Sequence, residues 1–370
     1  MILRFIIFFI VFLTLIFLAH FFLYKTHIKF LNIQSTFQKR FIIGIFSGLF
    51  VLLILSMIVT RATTSKIVDI LYFISSLWLG ILTYLFLFNV LNWGIFGIFK
   101  GFNLNINLKF LHLIFLGFVF LVTVYGVYNY YNIKDKVVEI KIKNLPESWE
   151  KKRVFLISDI HIGSFRDERF ISRIVENLNN KNADIIIICG DLFDGTKIDV
   201  EKTSEELSKL HANEKVYFVF GNHDTYTKAE DVYKVLNNSN FYILDNASIN
   251  HDEVDIVGIN YSSMHDEKVF AALKESDTLM KPKILLSHEP IRDLKKLEDF
   301  GIDLQLSGHT HGGQFFPFNL ITKAMYREMN YDLHDFGSFQ SFTSSGLGAW
   351  GPPFRIFTNS EIVQLKFVKK

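Results

Sequence analysis

Five short motifs in the second half of the chain each place a candidate metal ligand just after an apolar, strand-like run. They are Asp159-Ile160-His161, Gly190-Asp191-Leu192-Phe193-Asp194, Gly221-Asn222-His223-Asp224, Ser287-His288-Glu289 and Gly308-His309-Thr310-His311. Between them they offer carboxylate, imidazole and amide donors, with one carboxylate available to bridge, the mixture that a dinuclear hydrolytic site needs. One Asp-x-His would mean little; five motifs in the same strand-then-ligand context make chance a poor explanation. Mixed nitrogen and oxygen ligation suits Mn, Fe or Zn, whereas Mg prefers oxygen alone. A bridging carboxylate holds two cations about 3.5–4 Å apart, close enough to lower the pKa of a shared water and to clamp phosphate oxygens. The sequence has no Gly-rich phosphate loop, no Cys-x-x-Cys site and no Ser nucleophile motif. Hydrolysis here is therefore expected to use metal-activated water, without a covalent enzyme intermediate.

The elements that must position these residues follow from the apolar pattern. Val154–Ile157, Ile185–Ile188, Val216–Phe220, Ile284–Leu286 and Leu304–Leu306 are short β-rich runs, dense enough for strands buried on both faces. Helical spacing is predicted between them, over Glu168–Asn179, Val200–Leu210 and Lys228–Leu236, and further strands over Val254–Ile259, Phe339–Ser344 and Ile362–Phe367. Strand, ligand-bearing loop and helix in repetition put the ligands at the carboxyl ends of strands, where open α/β sheets build their sites.

The first part of the chain is of another kind. Half of the 370 residues are hydrophobic and 16% are aromatic, with mean hydropathy +0.26, too apolar for one soluble domain. The excess lies in Ile2–Leu23, Phe41–Val59, Ile67–Leu91 and Phe110–Tyr130, each close to the roughly 20 residues that cross a hydrocarbon core. A cleavable leader is a poor reading of the first stretch, whose apolar core is too long and which shows no Ala-x-Ala-type site before His27 and Lys29. The third stretch reads either as one long tilted span or as a span plus an interfacial turn around Trp93–Lys100. Asp69, His20 and His112 are the polar residues nearest the spans, Asp69 at a helix start where an acid suits the macrodipole. The expected organisation is a membrane part over residues 1–131, a connecting segment over 132–150 and a hydrolytic domain over 151–370.

Charge divides the chain in the same place. Residues 1–132 hold nine Lys/Arg and one acid, which leaves 30 basic and 36 acidic residues beyond them. A net negative hydrolytic part repels phosphate backbones, so no nucleic-acid partner is expected. Four positive charges between Lys25 and Arg40, with Lys100 and Lys109 in the third loop, against Arg61 and Lys66 in the second, favour odd loops in the cytoplasm. The catalytic part is then expected on the extracytoplasmic face, although Lys134, Lys136, Lys141 and Lys143 pull the other way. The one cysteine, Cys189, lies in an apolar run and reads as a core residue.

The ordered set Asp-x-His, Gly-Asp-x-x-Asp, Gly-Asn-His-Asp, His and Gly-His-x-His resembles the calcineurin-like metallophosphoesterase superfamily over about residues 153–370. The Gly308–Gln314 run, the Gly346–Pro353 run and the apolar front resemble its branch with a multi-pass membrane anchor. The resemblance implies a sandwich of two β-sheets flanked by helices, behind an N-terminal helical bundle of four spans. It implies one metal on Asp159, His161 and His311, a second on Asn222, His288 and His309, and Asp191 bridging them. It also implies that His223 steers the phosphate and protonates the leaving oxygen, that Asp224 orients His223, and that Asp194 supports the site structurally. His211, His251, His265 and His334 read as ordinary surface or core residues, and Arg355 as an ordinary surface charge or, in the alternative, a group that binds a phosphate oxygen. Gly346–Pro353 reads equally as a rigid turn cluster or as a loop that sets Trp350 against an apolar or ring-shaped leaving group. The function expected is hydrolysis of a phosphate mono- or diester, with lipid-linked and pyrophosphate substrates among the candidates. A tethered phosphatase for soluble nucleotides or phosphoproteins, and a non-catalytic membrane sensor, are the alternatives.

Overall fold

The computed structural model describes residues 2–267, 270 and 281–370. These form two compact units, one of residues up to 127 with 351–353, the other of 128–350 with 354–370.

The first unit is helical: α1 (Ile2–Phe30), α2 (Thr36–Ala62), α3 (Lys66–Gly101) and α4 (Leu108–Tyr131), whose last turn belongs to the second unit. All four are long and apolar enough to cross a membrane. The choice left open for the third stretch resolves as a single helix of 36 residues, with Trp93–Lys100 continuing it. At 1.5 Å per residue it is roughly 54 Å long, well beyond the ~30 Å hydrocarbon core. α1 likewise runs past Leu23 and takes in His27 and Lys29. Asp69 lies in the first turn of α3, whose N-cap is Ser65. His20 and His112 are buried cross-links between helices. Trp78 Nε1 on α3 donates to His20 Nε2 on α1 at 2.9 Å, and Asn92 on α3 meets His112 Nδ1 on α4 at 3.1 Å. With lipid as apolar as leucine, such polar contacts and close packing hold a bundle together.

The second unit is built on two six-stranded sheets. The first has the order β1 (Lys134–Ile142), β12 (Glu361–Lys369), β2 (Val154–Ile157), β3 (Ile185–Cys189), β4 (Lys215–Val219), β5 (Phe241–Ile243). The second has β10 (Asp332–Asp335), β11 (Gln340–Thr343), β9 (Leu304–Ser307), β8 (Lys283–Ser287), β7 (Val254–Ile259), β6 (Ala247–His251). β2 to β5 run parallel, as do β7, β8, β9 and β11. The period-two alternation of a strand sorts the side chains. Val154, Leu156, Ile185, Ile187 and Cys189 enter a core shared with Ile256, Ile284, Leu304 and Phe342 of the second sheet. Phe155, Ile157, Ile186 and Ile188 turn the other way, onto α6 (Glu168–Asn179), α7 (Val200–Leu207) and α9 (Ala229–Asn237). Asp167 and Asp199 cap α6 and α7 through backbone N–H groups of their first turns.

The stretch 132–150, expected as a connector, contains β1. It pairs with β12 over nine residues and sends Val138, Ile140 and Ile142 into the core between the sheets. Asp135, Val137, Glu139 and Lys141 lie on the exposed face, and Lys134 and Lys136 precede the buried run on the inner one, which hides the alternation behind charge.

Candidate metal centre

All seven residues expected as metal ligands sit just beyond the carboxyl ends of parallel strands. Asp159 and His161 follow β2, Asp191 follows β3 and Asn222 opens α8 (Asn222–Tyr226) after β4, all on the first sheet. His288 follows β8 and His309 and His311 follow β9 on the second. Five of the seven, Asp159, His161, Asp191, His309 and His311, have φ between 51° and 70°. For a side chain with a Cβ this left-handed region costs about 1–3 kcal/mol each, and such strain gathers at functional sites. In the Gly308–His311 turn it is the two histidines that take the left-handed conformation. Glycine is needed for another reason. A Cβ at Gly221 would strike the Asp191 carboxylate, and one at Gly308 would strike that of Asp159.

The donors form two groups. Asp159, His161 and His311 offer atoms all within 4.8 Å of one another, as do Asp191, His288 and His309. In the first group, His161 Nε2 lies 3.2 Å from His311 Nε2, which is 3.4 Å from Asp159 Oδ1. In the second, His309 Nδ1 lies 3.0 Å from Asn222 Oδ1 and 3.1 Å from His288 Nε2. Asp191 Oδ2 stands between them, 3.1 Å from His288 Nε2 and 3.8 Å from His161 Nε2.

Among these groups His309, His311 and Asp191 are held in the form a cation binds, while at His288 burial is outweighed by Asp191 beside it, which pushes the imidazole up to about 10. Burial, with the charge of His288, pushes the His309 imidazole down to about 3. Burial, His161 and Arg355 hold His311 well below its ordinary value. Both keep a lone pair at neutral pH, the form a metal binds. Burial would raise the Asp191 carboxyl, but the charge and hydrogen bond of His288 outweigh it and hold it far below the usual range. The donor set fits two divalent metals.

A supporting layer surrounds the donors. Asp194 Oδ1 lies 3.3 Å from His161 Nδ1 and its other oxygen 3.6 Å from Arg166 Nη1. His288 Nδ1 faces the Cys189 carbonyl at 2.9 Å, which fixes which nitrogen is left for a metal. His223, expected beside the site, is there, its ring 4.8 Å from that of His161. Its Nδ1 faces the Asp194 carbonyl at 3.0 Å. The orienting group is thus that carbonyl, where the sequence reading expected the Asp224 side chain. The Asp224 carboxylate instead accepts from the backbone N–H groups of Asp191, Phe193 and Gly221 at 3.0, 3.0 and 2.7 Å. Burial and the Asp191 charge push it up to about 7.

Two arginines complete the layer. Arg355, expected as a surface charge, is wholly buried. Its guanidinium donates to the carbonyls of Ser345, Gly346 and Gly348 and comes within 3.4 Å of His311 Nδ1. Arg166, not singled out in the sequence, is also buried and donates to Tyr130 Oη and to the carbonyls of His161 and Ala349. Neither has a sequence signature, because most of their partners are backbone carbonyls, which any residue type supplies. Both halves of the Gly346–Pro353 reading have support. Leu347 and Gly348 donate to the carbonyls of Ser158 and Asp159, bracing the first motif. Trp350 is exposed, with its ring 6.5 Å from that of His223. Away from the centre, Glu214, His251 and Asp252 form a further cluster, but Lys152 pairs with both acids and balances it.

Comparison with known proteins agrees with this geometry. Residues 152–313 match the family described as Calcineurin-like phosphoesterase. An uncharacterized metallophosphoesterase of Campylobacter jejuni is 30% identical over 95% of this chain and 96% of its own length. One of Helicobacter pylori is 36% identical over 62% of this chain, and the match spans 64% of that relative's length. A "Transmembrane protein with metallophosphoesterase domain" of Danio rerio is 31% identical over 62% of this chain and 56% of its own. With a relative matched nearly end to end and the strand-end ligand motifs inside the matched region, the chain belongs to the calcineurin-like phosphoesterases, metal-dependent enzymes of phosphoric esters.

Proposed function

We propose that this chain is a membrane-anchored phosphoesterase that hydrolyses a lipid-linked phosphate ester at a dinuclear centre on the extracytoplasmic face. Asp159, His161 and His311 would hold one metal and Asn222, His288 and His309 the other, with Asp191 available to both. Bound there, two divalent cations, Mn, Fe or Zn, supply a water of lowered pKa and an electrostatic clamp for phosphate oxygens. The observation that carries the reading is the position of Asp191, shared between two donor groups, with His223 beside them and outside both. His223 Nδ1–H donates to the Asp194 carbonyl, so Nε2 is the atom from which a proton reaches the leaving oxygen. Asp224 holds the backbone of the Asp191 and Gly221 turns in register. The hydrolytic domain comprises residues 151–370 together with β1. The lipid-linked substrate is supported by four candidate spans, more than tethering requires, and the orientation by the charge of the loops.

A hydrolysis screen of the detergent-purified protein with Mn, comparing phosphomonoesters, phosphodiesters and lipid phosphates, tests this. Lipid phosphates should be turned over best. Turnover confined to soluble nucleotides or phosphoproteins would favour the tethered-phosphatase reading, and none at all the sensor.

A further inference from the structure

Beyond His311 the chain makes a nine-residue helix, Phe318–Tyr326, that keeps much of its apolar surface in water. Phe318, Leu320, Ile321 and Met325 are 42%, 55%, 51% and 53% exposed. Two more large apolar side chains, Trp350 and Phe357, are 61% and 78% exposed. Gln314 knits these segments together. Its side chain exchanges hydrogen bonds with the backbone of Trp350, and its carbonyl accepts from Ile356 N and Thr358 Oγ1. Exposed apolar side chains gathered on linked neighbouring segments in this way mark an interaction site, whereas single exposed apolar residues do not.

What covers it follows from two features of the same unit. The last turn of α4, a candidate membrane span, is fastened to the loop that carries Phe357. Asn129 Nδ2 donates to the carbonyls of Arg355 and Thr358, and Ser360 Oγ donates to the Tyr130 carbonyl. The apolar face therefore lies beside the point at which the chain leaves a bilayer. In addition, Phe318–Arg327 carries Lys323 and Arg327 and no acid, in a part of the chain that is net negative. An apolar face edged with basic residues is what lies in a lipid headgroup layer.

We propose that the Phe318–Tyr326 helix, with Trp350 and Phe357, inserts into the surface of the bilayer and presents the metal centre to phosphate esters carried by lipids. The proposal rests on the phosphoesterase reading above for its substrate and stands apart from it as a docking surface. Gln314 connects the two roles, being three residues from His311 and bonded to the Trp350 loop.

The test uses the full chain reconstituted in vesicles of neutral and anionic phospholipid. Leu320→Cys is labelled with an environment-sensitive fluorophore, and Tyr233→Cys on α9 is the control. Acyl-chain quenchers should quench the label at 320 about threefold more than that at 233, and aqueous iodide should do the reverse. Equal quenching at both positions, or self-quenching at 320 that depends on protein density and so reports a second copy, would overturn the proposal. Independently, the triple variant Leu320→Ser, Ile321→Ser, Met325→Ser should lose about tenfold in turnover of a vesicle-borne lipid phosphate while nitrophenyl phosphate turnover is unchanged. Equal losses on both would show that the face serves folding and not delivery. The quenching arm needs no turnover, so failure of the docking surface and failure of the phosphoesterase reading are separable.

Discussion

The two donor groups that meet at Asp191 are built to different standards of enclosure. Asp159, His161 and His311 are buried, and behind them stand the Asp194 carboxylate and two buried arginines. The His309 side chain keeps 23% of its surface, and Tyr261 and Tyr326 stand about 6 Å from its ring. Glu289, the last residue of its motif, accepts from Tyr326 Oη at 3.0 Å but lies 3.9 Å from His309 Nε2. One group is sealed by charge-matched polar neighbours; the other opens on an aromatic rim. Enclosure slows exchange, so the sealed group should act as a fixed counter-charge and the open one as the place where ligands come and go.

Asp191→Asn strikes at what both groups share. It should abolish turnover and either empty both sites or leave one weakly filled, as measured by elemental analysis. Two metals per chain with normal activity would remove Asp191 from the bridge. His311→Ala and His309→Ala separate the groups. Each should lower the metal content from two to about one per chain and remove most of the activity, since a two-metal clamp needs both ions. In timed dialysis of the native protein against a chelator, the metal missing from the His309 variant should be the one that leaves first. Identical release of both ions would erase the contrast.

His223→Asn should keep both metals and slow turnover by roughly 10²–10⁴-fold, the range for loss of a general acid. The loss should shrink for a nitrophenolate leaving group, which needs little protonation. Equal losses on good and poor leaving groups would make His223 a binding residue. The smallest effect is expected at Asp194→Asn, which weakens the hold on His161 without touching a metal. It should cost roughly 10–100-fold in affinity at the sealed site alone, and equal weakening at both sites would show that the backing layer is common to them.

Legibility in the sequence followed local signal. β2, β3, β4, β8 and β9 are short apolar runs, and β7 and β11 fell close to their predicted positions. The five motifs stand next to those runs, and the family they resemble singles out seven candidate ligands among their residues. β1, β5, β6 and β10 were not predicted. They lie toward the margins of their sheets, where one face or an end meets water and the apolar content thins. Arg355 and Arg166 were illegible for another reason. An arginine satisfied largely by backbone carbonyls leaves no trace in the identity of its partners, and only the fold turns these guanidiniums inward and brings residue 349 to Arg166. Asp224 misled because adjacency to His223 suggested a side-chain pair, whereas opening α8 turns its carboxylate to amides of neighbouring strand ends.

The place of β12 in the first sheet has a consequence for how the protein is made. It lies between β1 and β2, paired with one in parallel and with the other in antiparallel fashion. Until residues 361–369 leave the ribosome, β1 therefore waits without a partner, while the helices before it are already made. Pairings between segments so far apart in sequence form slowly and leave strand edges open in the meantime. Deleting residues 361–369 would touch no metal ligand, yet it would part β1 from the rest of the sheet and leave a nascent chain prone to aggregate at the membrane surface.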